Sequence, residues 1–245
     1  MLATGTYPVS REVQDMTDGA VTRRIPMKTV LGRSLLFLAV SCSCVAPVAV
    51  AAETPDATAA LDAKVRSFLD AHGGRWHEMN VSAADGKLLH DLVLKNGYKS
   101  ALEIGTSTGH SAIWIAWALS KTGGKLVTIE IDESRHREAL RNFAEAGLSD
   151  YIDARLGDAH ELVPKLPGPF DFVFSDADKD WYKNYFVAIS PRLEVGGCFA
   201  AHNAAMRDRG IREFLEYVQG RGNYTTTIDK SSRAGVSISR KKAAD

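Results

Sequence analysis

The chain has 245 residues, 45% hydrophobic and 24% charged, which is enough for one globular domain with a full core. Its 30 Lys and Arg balance 30 Asp and Glu, so no basic field exists to hold nucleic acid and small-molecule work is favoured. Of three cysteines two lie in the N-terminal segment, leaving Cys198 alone and excluding a disulfide framework.

Residues 1–52 read as a leader. Residues 27–33 are basic, 34–50 are apolar, and Ala49-Val50-Ala51 offers a small-residue cleavage site. This is the pattern of a secretory signal peptide, too short and too interrupted by Pro47 to leave a stable membrane span after cleavage. An uncleaved hydrophobic anchor is the alternative. Cys42 lacks the leucine that a lipoprotein signal places before it. Met27 is read as the start of translation. With the longer start, Arg23-Arg24 ahead of Lys28 is similar to a twin-arginine export signal. Export to the periplasm or beyond is the expectation, and a cytoplasmic location follows if the leader does not function.

A polar linker, 53–58, leads into the domain at 59–245. A helix is predicted over 59–71, with Leu61, Val65, Phe68 and Leu69 on one face. A loop at 77–82 precedes a second helix over 84–94. Strands at 100–104, 125–131, 151–156, 170–175 and 197–201 then alternate with helices at 110–119, 133–146, 159–166 and 182–193. The unbroken apolar run Phe172-Val173-Phe174 fits a parallel strand covered on both faces. After a helix over 211–218, alternating strands at 224–228 and 235–239 flank a polar turn and read as an antiparallel hairpin. The expected fold is α/β: a mostly parallel seven-stranded sheet ending in an antiparallel hairpin, with helices on both faces. No repeat or second domain is visible.

The first strand runs into a glycine loop in which Glu103, Gly105 and Gly109 are spaced E-x-G-x-x-x-G. Gly105 allows a tight turn beside a ligand, and Gly109 lets the next helix start close to the strand. Glu130 follows the loop by about 20 residues, where nucleotide-binding sheets hold ribose hydroxyls. NAD-type loops carry G-x-G-x-x-G, which admits a pyrophosphate. Here the first position is an acid and the third glycine is missing, so an NAD-linked dehydrogenase is disfavoured. An anionic strand end suits an ammonium or sulfonium charge, and S-adenosylmethionine carries both. A tight turn with no ligand is the bland alternative.

The fourth strand ends in Asp176-Ala177-Asp178-Lys179-Asp180, and the fifth in His202-Asn203. Ligands of open sheets gather at such strand ends, although three acids also suit a solvated helix start. Asp176, His202 and Asn203 would converge as a carboxylate, imidazole and amide set for a divalent metal. Trp114 and Trp117 read as core. His90, His110, His136 and His160 show no ligand pairing. Arg135, Arg137 and Arg141 read as a solvated face, and Cys198 as inert.

Taken together, these pieces resemble the cation-dependent O-methyltransferase family, which includes catechol O-methyltransferase and caffeoyl-CoA O-methyltransferase. The likeness runs over roughly residues 60–240. It is carried by His77-Glu78-Met79-Asn80-Val81, Leu102-Glu103-Ile104-Gly105, Ile129-Glu130-Ile131, Gly157-Asp158-Ala159, Ser175-Asp176-Ala177-Asp178-Lys179 and Gly196-Gly197. The resemblance implies a Rossmann-like class I methyltransferase fold and transfer of a methyl group from S-adenosylmethionine to a small aromatic hydroxyl, of catechol type. Met79 and Val81 would close over the methionine part of the cofactor. Glu103, Gly105, Thr106 and Ser111 would hold its amino acid moiety, Glu130 its ribose, and Asp158 and Ala159 its adenine. Asp176, His202 and Asn203 would hold magnesium, and Lys179 would be the general base. Substrate specificity would sit on loops 72–82 and 204–210, and relatives of this kind are often dimers.

One departure stands out. The family expects Asp-Asn at 202–203, and His202 removes a hard anionic ligand. Three readings stay open: a transition metal in place of magnesium, a lost metal with His202 as base or substrate contact, or a chain that binds cofactor without catalysis. The last would be an exported S-adenosylmethionine- or metal-binding protein on a methyltransferase scaffold. Export also conflicts with the cytoplasmic supply of S-adenosylmethionine.

Overall fold

The computed structural model describes residues 55–76 and 79–245. The leader, the Met27 start and the twin-arginine-like segment lie outside the described residues, as do His77 and Glu78. Helix α1 spans Pro55–Ala71. It starts four residues ahead of the expected boundary, because proline is well suited to the first helical turn. Helix α2, Ala83–Asn96, is capped by Ser82, whose side chain accepts from the Asp85 amide.

The alternating segment follows as β1 Ser100–Ile104, α3 His110–Thr122, β2 Lys125–Glu130, α4 Glu133–Ala146, β3 Ile152–Leu156, α5 Ala159–Leu162, β4 Phe170–Ser175, α6 Tyr182–Ile189 and β5 Leu193–His202. Helix α7, Arg209–Gln219, leads to the hairpin β6 Tyr224–Asp229 and β7 Val236–Lys241. The sheet order is β3-β2-β1-β4-β5-β7-β6. β7 runs against the other six strands. This is the mostly parallel seven-stranded sheet expected from the sequence.

Three of the boundaries that differ from expectation have a clear local cause. The helix expected over 159–166 ends at Leu162 and continues as a 3-10 turn through Pro164. The helix expected over 182–193 likewise stops at Ile189, before a 3-10 turn containing Pro191. Strand β5 begins at Leu193, not Gly197, because Leu193 pairs with Phe170 before a register shift brings Cys198 opposite Phe172.

Alternation along each strand feeds two cores. Ala101, Phe172, Phe174, Cys198 and Ala200 face α1–α4, while Leu102, Val173, Phe199 and Ala201 face α5–α7. Buried Cys198 has its thiol pushed up to about 12 by desolvation, as an inert core residue should. Among the described residues no helix is long and apolar enough to cross a membrane.

Candidate active site

Register brings the functional strand ends level. Ile104 lies opposite Ile129 and Ser175, and Ser175 opposite Ala201, so the residues that follow these strands share one edge of the sheet. A cleft of about 430 Å³ opens there. Met79, Gly105, Glu130, Asp158, Ala159, Asp176 and Lys179, all expected at the site, line it. Met79 is 70% exposed at the rim.

Glu130 is nearly buried and held from three sides. Its Oε2 accepts from the Ser107 amide at 2.7 Å, and its Oε1 accepts from the Asp132 amide at 3.0 Å and from Arg135 Nε at 3.2 Å. Three of four acceptor positions are thus used, and one on Oε2 remains for a ligand hydroxyl. Asp158 caps α5 by accepting from the His160 amide at 2.8 Å, which fixes the loop beside Ala159. Ser107 Oγ, on the cleft wall, has no hydrogen-bond partner among the described residues. Acidic groups outnumber cations around the cleft, which suits a positively charged ligand.

Gly105 makes a positive-φ turn on the cleft wall, in line with expectation, whereas Gly109 meets a different neighbour from the one expected. A Cβ at Gly105 (φ 98°) would sit 2.9 Å from the Asp176–Ala177 backbone, so this glycine lets the β1 and β4 loops touch. A Cβ at Gly109 would lie 2.5 Å from the Phe143 ring, so the close neighbour of the helix start is α4, not the strand.

Several expected cofactor residues stand off the cleft. Glu103 is fully buried beneath the loop, where Thr128 Oγ1 donates to its Oε2 at 2.5 Å. Burial pushes its carboxyl up to about 8, against hydrogen bonds from Ser111 and Thr128 that pull it down. Thr106 is buried and bonds Thr128 by its hydroxyl. Val81 turns toward a second cavity, of about 830 Å³, between α1, α2 and α3. Trp114 and Trp117 line this cavity too, although Trp117 also belongs to the core. His110 is a satisfied histidine: Nδ1 bonds the Val81 carbonyl at 2.9 Å and Nε2 accepts from Trp114 at 3.0 Å.

At the ends of β4 and β5 the side chains engage one another. Lys179 Nζ lies 2.8 Å from Asp176 Oδ1 and also donates to the carbonyls of Asp176 and Ala177. His202 Nδ1 lies 3.0 Å from Asp176 Oδ2, and its Nε2 lies 3.3 Å from Asp85 Oδ2. Burial alone would push the imidazole down, but hydrogen bonds and charge from Asp176 and Asp85 outweigh it and hold its pKa at about 9. Asp85 would be raised by burial, yet hydrogen bonds from His202, Ser232 and Ser82 keep it at about 2. Asn203, which follows, adopts a left-handed backbone (φ 60°). Among the described residues no group of three or more His, Cys, Asp and Glu is arranged to hold a metal ion.

Comparison with known proteins gives this arrangement a family. The sequence profile of the O-methyltransferase family matches residues 56–211. The chain belongs to that family. It is 41% identical over 134 residues to a catechol O-methyltransferase of Niastella koreensis, covering 53% of this chain and 60% of the relative. It is 33% identical over 154 residues to caffeoyl-CoA O-methyltransferase 1 of Eucalyptus globulus, covering 58% and 62%. The chain thus spans under two thirds of the length of these curated relatives. Among solved structures, the O-methyltransferase from Bacillus cereus in complex with SAH is 27% identical with a TM-score of 0.64, covering 80% of this chain and 94% of that one. TomG from Streptomyces achromogenes, in complex with SAM, is 29% identical with a TM-score of 0.64, covering 80% and 93%. The fold is that of the class I methyltransferases.

Three residues escaped the sequence reading. Arg135, read as part of a solvated face, is clamped on Glu130 at the cleft. Its spacing, five residues after the acid, was the available signal. His160 lines the cleft, stacked on Trp181 with ring centres 3.8 Å apart. Asp85 had no local signal at all.

Proposed function

We propose that the chain is an S-adenosylmethionine-dependent O-methyltransferase that acts on a hydroxyl of a small aromatic molecule. The observation that carries this reading is Glu130, fixed at the carboxyl end of β2 in the lining of an acidic cleft with one acceptor position unused. The family, and relatives named for catechol and caffeoyl-CoA, support the reaction type and an aromatic acceptor.

S-adenosylmethionine, when bound, supplies a methyl group already activated by its sulfonium. The chain's own work is then to hold, orient and manage one proton. Glu130 accepts from ribose hydroxyls, and the loop at Asp158 and Ala159 borders the adenine. Glu103 lies under the loop as a buried acid, not as a direct ligand. Lys179, in the wall of the cleft, takes the proton of the attacking hydroxyl after passing one of its own to Asp176, its ion-pair partner at 2.8 Å. The oxygen forms its bond to the methyl carbon as the sulfur–carbon bond breaks, leaving a neutral thioether.

The side chains expected to hold magnesium do not fit it as they stand. Both Asp176 oxygens and both His202 ring nitrogens are taken by neighbouring side chains. No step is routed through a metal. Export through residues 1–52 remains part of the proposal, and mass spectrometry of the N-terminus from fractionated cells tests it.

The function is tested by incubating the purified chain with methyl-labelled S-adenosylmethionine and catechol or caffeate. Label should pass to the aromatic hydroxyl. A panel of hydroxylated aromatics that all stay unlabelled, with cofactor present and bound, would contradict the reading.

A further inference from the structure

Four charged side chains form one unbroken line behind the cleft: Asp85, His202, Asp176 and Lys179. They come from α2, β5, and the loop after β4, so only the folded chain assembles them. Asp85 is 1% exposed. Its Oδ2 accepts from Ser82 Oγ at 2.7 Å and faces His202 Nε2 at 3.3 Å. Nδ1 of the same ring faces Asp176 Oδ2 at 3.0 Å, and the other Asp176 oxygen faces Lys179 Nζ at 2.8 Å.

An ionised carboxylate only accepts hydrogen bonds. A ring with a carboxylate against each nitrogen must therefore donate from both, and such a ring is a cation with no lone pair left for a metal. Two anions and two cations then close the line without a further ion. A divalent cation entering here would have to displace Lys179 or His202 from Asp176. Displacing His202 would also leave Asp85, a buried carboxylate, without its cationic partner. Asp85 is the part that makes histidine workable at this position, because it holds the ring from behind.

We propose that His202, backed by Asp85, occupies the place of a divalent cation against Asp176, so that this chain transfers methyl groups without bound metal. The proposal rests on the methyltransferase reading above and adds a residue to it. Asp85 is a positioning residue: it orients His202, which orients Asp176, which holds Lys179 at the cleft wall. The imidazole thus keeps Asp176 in place but stays off the substrate.

Two independent arms test this. Calorimetric titration of the full chain, without substrate, with magnesium, manganese and zinc should show no saturable binding up to millimolar metal. His202→Asp should gain magnesium binding. Separately, turnover with the aromatic panel should fall by less than twofold in excess EDTA. Asp85→Asn, close in shape to aspartate, should lower kcat at least tenfold while the KM for S-adenosylmethionine stays within twofold.

Saturable metal binding by the unmodified chain that is lost in His202→Ala would overturn the proposal, as would a tenfold loss in EDTA restored by added metal. Equal losses of kcat and cofactor affinity in Asp85→Asn would remove the positioning role. If no panel member is methylated, the methyltransferase reading fails and the calorimetric arm alone decides the metal question.

Discussion

The two halves of the sheet edge are built on opposite electrostatic plans. At the ends of β2 and β3, acids are held mainly by backbone amides and helix caps: Glu130 by the Ser107 and Asp132 amides, with Arg135 alongside, and Asp158 by its own helix start. Both residues line the cleft. At the ends of β4 and β5, acids are neutralised by side-chain cations, with His202 and Lys179 both on Asp176. The first half is poised to receive positive charge from a ligand. The second has already supplied its own. Binding and chemistry are thereby separated, and substitutions should divide the same way.

The largest effect is expected from Lys179→Ala. Loss of a proton acceptor typically slows a reaction by roughly 100-fold or more. Turnover should fall by about that factor while affinity for S-adenosylhomocysteine, measured by calorimetry, changes less than about threefold. Comparable losses in both would merge the two halves. Glu130→Ala should do the reverse and weaken cofactor binding roughly 10- to 100-fold, since hydrogen bonds to a charged group are worth about 1.5–3 kcal/mol.

A smaller effect should come from Gly210→Ala. A methyl there would sit 2.3 Å from the Lys179 carbonyl oxygen, pressing the first turn of α7 against the Lys179 loop. Overpacking of this kind costs about 1–3 kcal/mol, visible as a lower Tm. Turnover should fall with cofactor affinity retained, because the displaced backbone belongs to the second half.

The smallest effect on turnover is expected at Glu103, which acts on stability. Its pKa is raised from 4.5 to about 8, so the folded state binds its proton more tightly than the unfolded chain does. That contribution is fully present below pH 4.5 and is lost as the pH rises through about 8. Glu103→Gln should remove this slope. Its Tm should match the unmodified chain at low pH and exceed it progressively toward pH 8, as read by thermal denaturation across that window.

Much of this was legible in the sequence because the signals were local. The boundaries of β1, β4 and α4 follow from apolar runs and caps such as Asp132; Glu130 was found by its distance from the glycine loop, and Asp158 through the Gly157-Asp158-Ala159 motif shared with the family. What was not legible depends on contacts across the chain. Asp85 meets His202 over 117 positions, so nothing near either residue announces the pair. The side chain of Glu103 was expected at the cleft, but Thr128 on the neighbouring strand draws it inward. The start of β5 was hidden because the glycines at 196 and 197 read as a loop end, whereas Leu193 pairs across a bulge. Helical periodicity placed Arg135 on the solvated side, yet its length lets it reach back to Glu130.

The central claim is that the Glu130 cleft receives S-adenosylmethionine, and calorimetric titration of that molecule into the purified chain, alongside Glu130→Ala, tests it most directly. One molecule should bind per chain, with at least a tenfold weaker affinity in the variant. No heat of binding at millimolar cofactor, or equal affinity in the two proteins, would contradict it.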